Sequence, residues 1–114
     1  MSMKTMEIDP KLDPMFQGLI RKVEPALERV LGDVAERVDV AWGVGATDAE
    51  GEQTVRLSLT DDHVCRSADF TAWDLEDDLR LRRGLRRVWD QVQAERVRIH
   101  RKRLLESLAE TGEG

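Results

Sequence analysis

Three residues in one short segment, Asp61, His63 and Cys65, carry side chains that bind metals or act in catalysis. In an extended strand, alternate residues project from one face, so all three would lie together. Carboxylate, imidazole and thiolate are zinc ligands, and a Cys–His pair can form a nucleophile. However, the chain has one cysteine, and its other histidine, His100, is far off in sequence. Because a structural zinc site needs four ligands, we interpret the segment as a polar turn at a strand edge.

A second cluster of chemical groups is acidic. Asp74, Asp77 and Asp78 have the i, i+3, i+4 spacing that places them on one helix face, where they could hold Mg²⁺. Acids at a helix start also complement the positive end of the helix dipole, which is the interpretation we favour. Two acids of this stretch stand four residues before an arginine, in the pairs Glu76–Arg80 and Asp78–Arg82.

The third cluster is basic. The segment 80–103 holds ten Lys or Arg residues and two acids, a local charge of +8 in a chain of net charge −5. Such a helix face could bind nucleic-acid phosphates or an acidic protein. For this cluster by itself we favour a simpler interpretation, in which the face stays solvated and pairs with acids of the chain. The predicted pairs are Arg86–Asp90, Lys102–Glu106 and Arg103–Glu106. The candidate anion- or partner-binding residues are Arg83, Arg87, Arg98, Arg101 and Lys102.

Composition bounds the possible classes of protein. The chain has 114 residues, of which 40% are apolar, enough for one domain with a modest core. A single cysteine excludes an intramolecular disulfide, and no apolar run approaches the roughly 18 residues of a membrane span. The first ten residues lack the apolar stretch of a secretory signal. We therefore expect a cytoplasmic protein without membrane contact, cofactor or metal.

Helical periodicity dominates the first third of the chain. Asp13-Pro14 is a typical helix start, with Asp as N-cap and Pro at the first helical position. Apolar residues follow at spacings of three and four from Phe16 to Val34, and Pro25 interrupts the backbone hydrogen bonds without breaking this phase. The pattern predicts a kinked helix, or two short helices in one direction, over about 13–36. Residues 1–12 are predicted to be a flexible polar tail.

The period then changes from 3.6 to 2, which indicates strands. Apolar residues alternate over 38–44 and 53–60, and a third, shorter strand over 64–70 would carry Arg66 on its inward side. Gly43 and Gly45 lack the strand-to-helix context of a dinucleotide site and favour a bulge or a crowded sheet face. Short turns between the strands predict an antiparallel meander.

A long second helix follows. Thr71 and Asp74 have the spacing of a capping box, and the helix is predicted to run to about Glu110, leaving 111–114 as a flexible tail. The predicted fold is α+β in two layers: a helix, a three-stranded antiparallel meander and a long helix, with both helices on one face of the sheet. Residues 13–110 would form this single α-β-β-β-α domain.

The apolar stripe of the second helix changes phase along its length. One group of apolar residues lies on one side of the helix: Leu81, Leu85, Val88, Val92 and Ile99. A second group lies on nearly the opposite side: Ala94, Val97, Leu104, Leu105 and Leu108. Either the helix breaks near residues 93–96, or it continues and the second group meets another chain. No Gly or Pro lies between Arg86 and Thr111, which favours a continuous helix. The predicted inter-chain interface consists of Val97, Leu104, Leu105 and Leu108.

The order of elements, with a loose match at LEDD in residues 75–78, resembles the small bacterial nucleoid-associated proteins of the YbaB type. That resemblance implies dimerisation and DNA binding. From the residues themselves we predict a non-enzymatic interaction or adaptor module, homodimeric through its long helix, that presents a charged surface to a protein partner. The alternative is a nucleic-acid-binding protein that uses the Arg-rich face of helix 80–103.

Overall fold

The computed structural model describes residues 5–111. Strand β1 spans Thr5–Ile8, helix α1 Pro14–Leu31, strand β2 Val38–Thr47, strand β3 Gln53–Asp61 and strand β4 Val64–Phe70. The short helix α2 spans Ala72–Glu76, and the long helix α3 spans Asp78–Thr111. The four strands form one sheet in the order β1-β2-β3-β4, in which only the β1–β2 pair is parallel. The α+β class is confirmed, with four strands in place of the predicted three.

The added strand β1 is a correction. Residues 5–8 lie in the segment predicted to be a flexible tail, yet they pair with residues 39–42 of β2. A parallel partner needs a crossover connection, and α1 supplies it. Four residues are too few to show a periodicity, so nothing local in the sequence signals this pairing. Leu12 after β1 is also buried, and the remainder of both predicted tails, 1–4 and 112–114, lies outside the described residues.

Helix α1 forms as its cap predicts, and it is continuous. The Asp13 carboxylate accepts a 2.8 Å hydrogen bond from the backbone N–H of Met15, and Pro25 lies inside the helix. Gly32, at φ 63°, ends α1, and a 3₁₀ helix over Gly32–Arg37 leads into β2. This left-handed conformation favours glycine, which has no Cβ to clash there.

The two faces of the sheet differ in chemistry. The face covered by the helices is apolar, with Trp42, Leu57 and Leu59 at most 2% exposed. The opposite face is polar: Arg56 donates a 2.9 Å hydrogen bond to Asp69, and other strand residues there are exposed. This is the two-layer arrangement predicted, with the helices on one side. The register of β2 on β3 shifts between Val44 and Thr47, and a Cβ at Gly45 would clash with the Thr54 side chain, so the strand is both irregular and crowded near the glycines for which a bulge or a crowded sheet face was predicted.

The second helical region is divided at one residue. The Thr71 hydroxyl accepts a 3.1 Å hydrogen bond from the Asp74 N–H, and the Asp74 carboxylate accepts a 3.0 Å bond from the Thr71 N–H. This confirms the capping box. Asp77 then adopts an extended conformation, so the predicted single helix is interrupted there. Its carboxylate accepts a 3.0 Å hydrogen bond from the Arg80 N–H and thereby caps α3.

Candidate interaction surface on helix α3

Helix α3 carries the basic residues and the exposed apolar residues singled out above. It has 34 residues and is therefore about 51 Å long. It continues through residues 93–96, where the phase change allowed a break, so the continuous helix is confirmed. Its outer surface offers the largest run of exposed apolar side chains in the described chain.

Two opposite faces of α3 meet different surroundings. Leu81, Leu85, Val88 and Val92 are at most 5% exposed and belong to the core, and Ile99 packs partly against it. The opposite group stays open to solvent: Val97 is 57%, Leu104 51%, Leu105 61% and Leu108 65% exposed. Every residue from 100 to 109 is exposed. The last three turns therefore extend beyond the packed body of the domain.

A regular seam runs along this outer face. Its residues alternate by three and four positions, as in a heptad repeat, and all of them are exposed. We call these residues the outer seam: Arg83, Arg87, Asp90, Ala94, Val97, Arg101, Leu104 and Leu108. The seam is charged towards the start of α3 and mostly apolar towards its end, which is an uneven pattern for a helix face left in water.

The predicted basic residues separate into paired and unpaired groups. Arg98 donates a 3.0 Å hydrogen bond from Nε to Oε2 of Glu95, and this bond holds the pKa of Glu95 below its ordinary value although burial opposes it. The four other predicted binding residues make no ion pair within 4.0 Å among residues 5–111. Two nearby arginines, Arg86 and Arg103, make none within this range either. These unpaired residues are Arg83, Arg86, Arg87, Arg101, Lys102 and Arg103.

Several predicted internal pairs are wrong. Within the described chain, the pairs Arg86–Asp90, Lys102–Glu106 and Arg103–Glu106 do not form. Of the acid-first pairs near the start of α3, only Asp78–Arg82 is present, at 3.0 Å. Arg80 turns away from Glu76. Its guanidinium lies 3.7 Å from the centre of the Trp73 ring and 3.2 Å from an Asp74 oxygen.

One buried ionic site was missed by the sequence reasoning. Asp61 is 2% exposed, and its carboxylate lies 3.0 Å from Nη1 of Arg96 and 3.4 Å from Nε of Arg37. The sequence contains a sign of this site. Every second residue of β3 faces the core, and this pattern continues from Leu57 and Leu59 to Asp61. A carboxylate on an inward position needs a cationic partner. The local sequence does not show that this partner is Arg96, because Arg96 lies 35 residues further along the chain.

The positions of Asp61, His63 and Cys65 do not support a zinc site or a Cys–His nucleophile. Asp61 ends β3, the exposed His63 lies in the two-residue turn, and Cys65 on β4 projects to the polar face. The turn, not an extended strand, separates them. Residues 5–111 contain no group of three His, Cys, Asp or Glu side chains able to hold a metal ion. The acids predicted as an alternative Mg²⁺ site instead cap helices or pair with arginine.

The fold does bring the two histidines together. His63 in the β3–β4 turn and His100 on α3 line one cleft of about 110 Å³, together with Arg96 and Arg103. The inward Arg66 of β4, predicted at that unusual position, lies 3.3 Å from Glu95 of α3. The β3–β4 hairpin therefore contacts α3 through charged side chains in addition to the apolar contacts of the core.

No known protein family, curated protein or solved structure shows a significant match to this chain. The helices within residues 5–111 include none with the length and apolarity of a membrane span.

Proposed function

We propose that this protein is a non-enzymatic interaction module that pairs with a second copy of itself through the outer face of α3. The observation that carries the proposal is the exposure of Val97, Leu104, Leu105 and Leu108 on a helix that extends beyond its own domain. An apolar stripe of this kind is costly in water, and twofold pairing is the commonest way to cover it.

The extension itself supports the same function. Residues 100–109 are all exposed, and a helical segment of three turns is marginally stable when it stands alone in water. Packing against another helix stabilises such a segment. The charged groups beside the stripe, among them Arg98 and Lys102, then lie at the rim, where a further protein partner would meet them.

The test is the oligomeric state of the full chain. Light scattering at tens of micromolar should report a dimer, and the double change Leu104→Glu with Leu108→Glu should give a folded monomer. A matched control adds the same two charges at apolar residues exposed elsewhere, Met15→Glu with Val44→Glu, and should remain dimeric. A monomeric wild type, or unfolding of the Leu104 and Leu108 variant, contradicts the proposal.

Nucleic-acid binding is a second candidate, favoured by one observation. Arg83, Arg86 and Arg87 are exposed within little more than one turn of α3 and have no carboxylate partner within 4.0 Å in residues 5–111. Unpaired arginines on one helix face are suited to phosphate contacts. No Phe, Tyr or Trp lies among the later basic residues, Arg96 to Arg103, so the stretch lacks the large aromatic side chains on which single-stranded bases commonly stack.

A further inference from the structure

We infer that the two copies of α3 pair antiparallel, with Asp90 of each copy against Arg101 of the other. This inference rests on the proposed self-association and adds its direction and register. It follows from the order of residue types along the outer seam, which is fixed because α3 is one continuous helix.

Asp90 and Arg101 are unpaired charges of opposite sign on the same face. Both are exposed, and neither has an ion-pair partner within 4.0 Å among the described residues. They are separated by eleven residues of rigid helix, a distance of about 16 Å, so they cannot meet within one chain. Only a second chain can bring them together.

An antiparallel arrangement satisfies both charges at once. A twofold axis that crosses α3 midway between Ala94 and Val97 places Ala94 against the partner's Val97, at the point of closest approach. The small Ala94 side chain allows the helices to approach there. Because the seam alternates by three and four residues, the same register places Asp90 against the partner's Arg101 on both sides of the axis.

The same register also covers the leucines. Leu104 then faces the partner's Arg87, and Leu108 faces the partner's Arg83. The three methylene groups of each arginine can lie on a leucine while the guanidinium stays in water at the rim. The basic start of one outer seam therefore complements the apolar end of the other.

A parallel, in-register pair has the opposite consequence. Each seam residue would then face its own copy, so Asp90 would face Asp90, and each of Arg83, Arg87 and Arg101 would face its like. Like charges set directly against each other weaken association. The sequence of the outer seam therefore selects the antiparallel direction.

Charge reversal tests the pairing. Asp90→Lys and Arg101→Glu should each raise the dimer dissociation constant by roughly tenfold or more, since each creates two like-charge contacts. The double variant should return to within about threefold of the wild type, because the pair is restored with its signs exchanged. Arg103→Glu, the same charge change two residues away, is the control and should have little effect, because Arg103 lines the cleft beside His63 and is not part of the seam.

A distance measurement tests the register independently. Spin labels on Ala109→Cys, in a Cys65→Ser background, should lie about 40 Å apart by the helical rise of 1.5 Å per residue. A separation below about 20 Å would indicate parallel helices or contact of the tips alone, and would overturn the inference. The inference would also be overturned if the single charge reversals left the dimer dissociation constant unchanged, or if the double variant did not restore it. A monomeric wild type overturns the proposed function itself, so the two failures are distinguishable.

Discussion

Arg96 of α3 donates a 3.0 Å hydrogen bond from Nη1 to Oδ2 of Asp61, whose side chain is 3% exposed at the end of β3. Arg37, just before β2, lies 3.4 Å from the other carboxylate oxygen. One buried charge thus connects the sheet to the long helix at the level where α3 begins to leave the body of the domain.

Removing Arg96 should therefore destabilise the fold. Arg96→Met leaves the Asp61 carboxylate with Arg37 alone, and we expect a loss of about 1–3 kcal/mol, reduced from the value for a fully buried pair because Arg96 is partly exposed. The double change Arg96→Met with Asp61→Leu removes the charge as well and should cost less than the single change. Urea unfolding measures both. A double variant less stable than Arg96→Met would contradict this account.

A pair of glycine substitutions tests the contact between α3 and β4. Cβ of an alanine at Gly84 would overlap Cε2 of the Phe70 ring and lie 3.0 Å from Cζ. Phe70 also packs against Trp42, with ring centroids 6.1 Å apart, so it cannot easily move. We expect Gly84→Ala to lower stability by about 1–3 kcal/mol despite the better helix propensity of alanine.

Gly18 in α1 is the matched control. A Cβ there meets no atom within 4 Å, and the residue is exposed inside a regular helix. Gly18→Ala should raise the free energy of unfolding by about 0.5–1 kcal/mol. In thermal or urea unfolding, Gly84→Ala should lower the free energy of unfolding and Gly18→Ala should raise it. Equal changes in the two variants would argue against a close approach of Gly84 to Phe70.

The pH dependence of stability should include a contribution from Asp69. The Arg56 guanidinium hydrogen-bonded to Asp69 holds the pKa of that carboxyl below its ordinary value, although burial opposes the shift. A carboxyl whose pKa is lower in the folded state contributes stability above its unfolded pKa, about 3.9, and loses it as the pH falls through the folded value. Asp69→Asn should therefore be less stable than wild type at neutral pH.

The same variant should also lose less stability on acidification. Urea midpoints of wild type and Asp69→Asn, followed from about pH 5 to pH 2, should converge as the pH falls. Parallel curves would show that the Asp69 charge contributes nothing to folding. Ser58→Ala, which alters a neutral pair on the same sheet face, should show the wild-type acid dependence.

Salt-dependent retention on immobilised DNA separates the two candidate functions. An interaction module that does not bind DNA should show no retention even at low salt. A DNA-binding protein should be retained at low salt, and the logarithm of its affinity should fall linearly with the logarithm of the salt concentration, by roughly 0.9 for each phosphate contacted. In that second case, Arg83→Ala and Arg87→Ala would each reduce the slope. Arg98→Ala should change it less, since Arg98 already pairs with Glu95.

Local sequence patterns determined most of the elements. The spacing of apolar residues predicted α1, β2, β3, β4 and the long helix, and the capping residues Asp13 and Thr71 marked where helices begin. The phase change along α3 predicted that Val97 and the three leucines would face away from the core, and they are exposed. These features depend on residues within a few positions of each other, which is why the sequence alone reveals them.

Tertiary structure decided the rest. The pairing of β1 with β2 spans the whole of α1, and the Asp61–Arg96 contact spans 35 residues. A local pattern shows that a charge points inward but does not show which distant charge meets it. The separation of Asp61 from Cys65 likewise depended on the turn between two strands, which places them on opposite faces of the sheet. Long-range contacts are set by how the elements pack together, and packing depends on all of them at once.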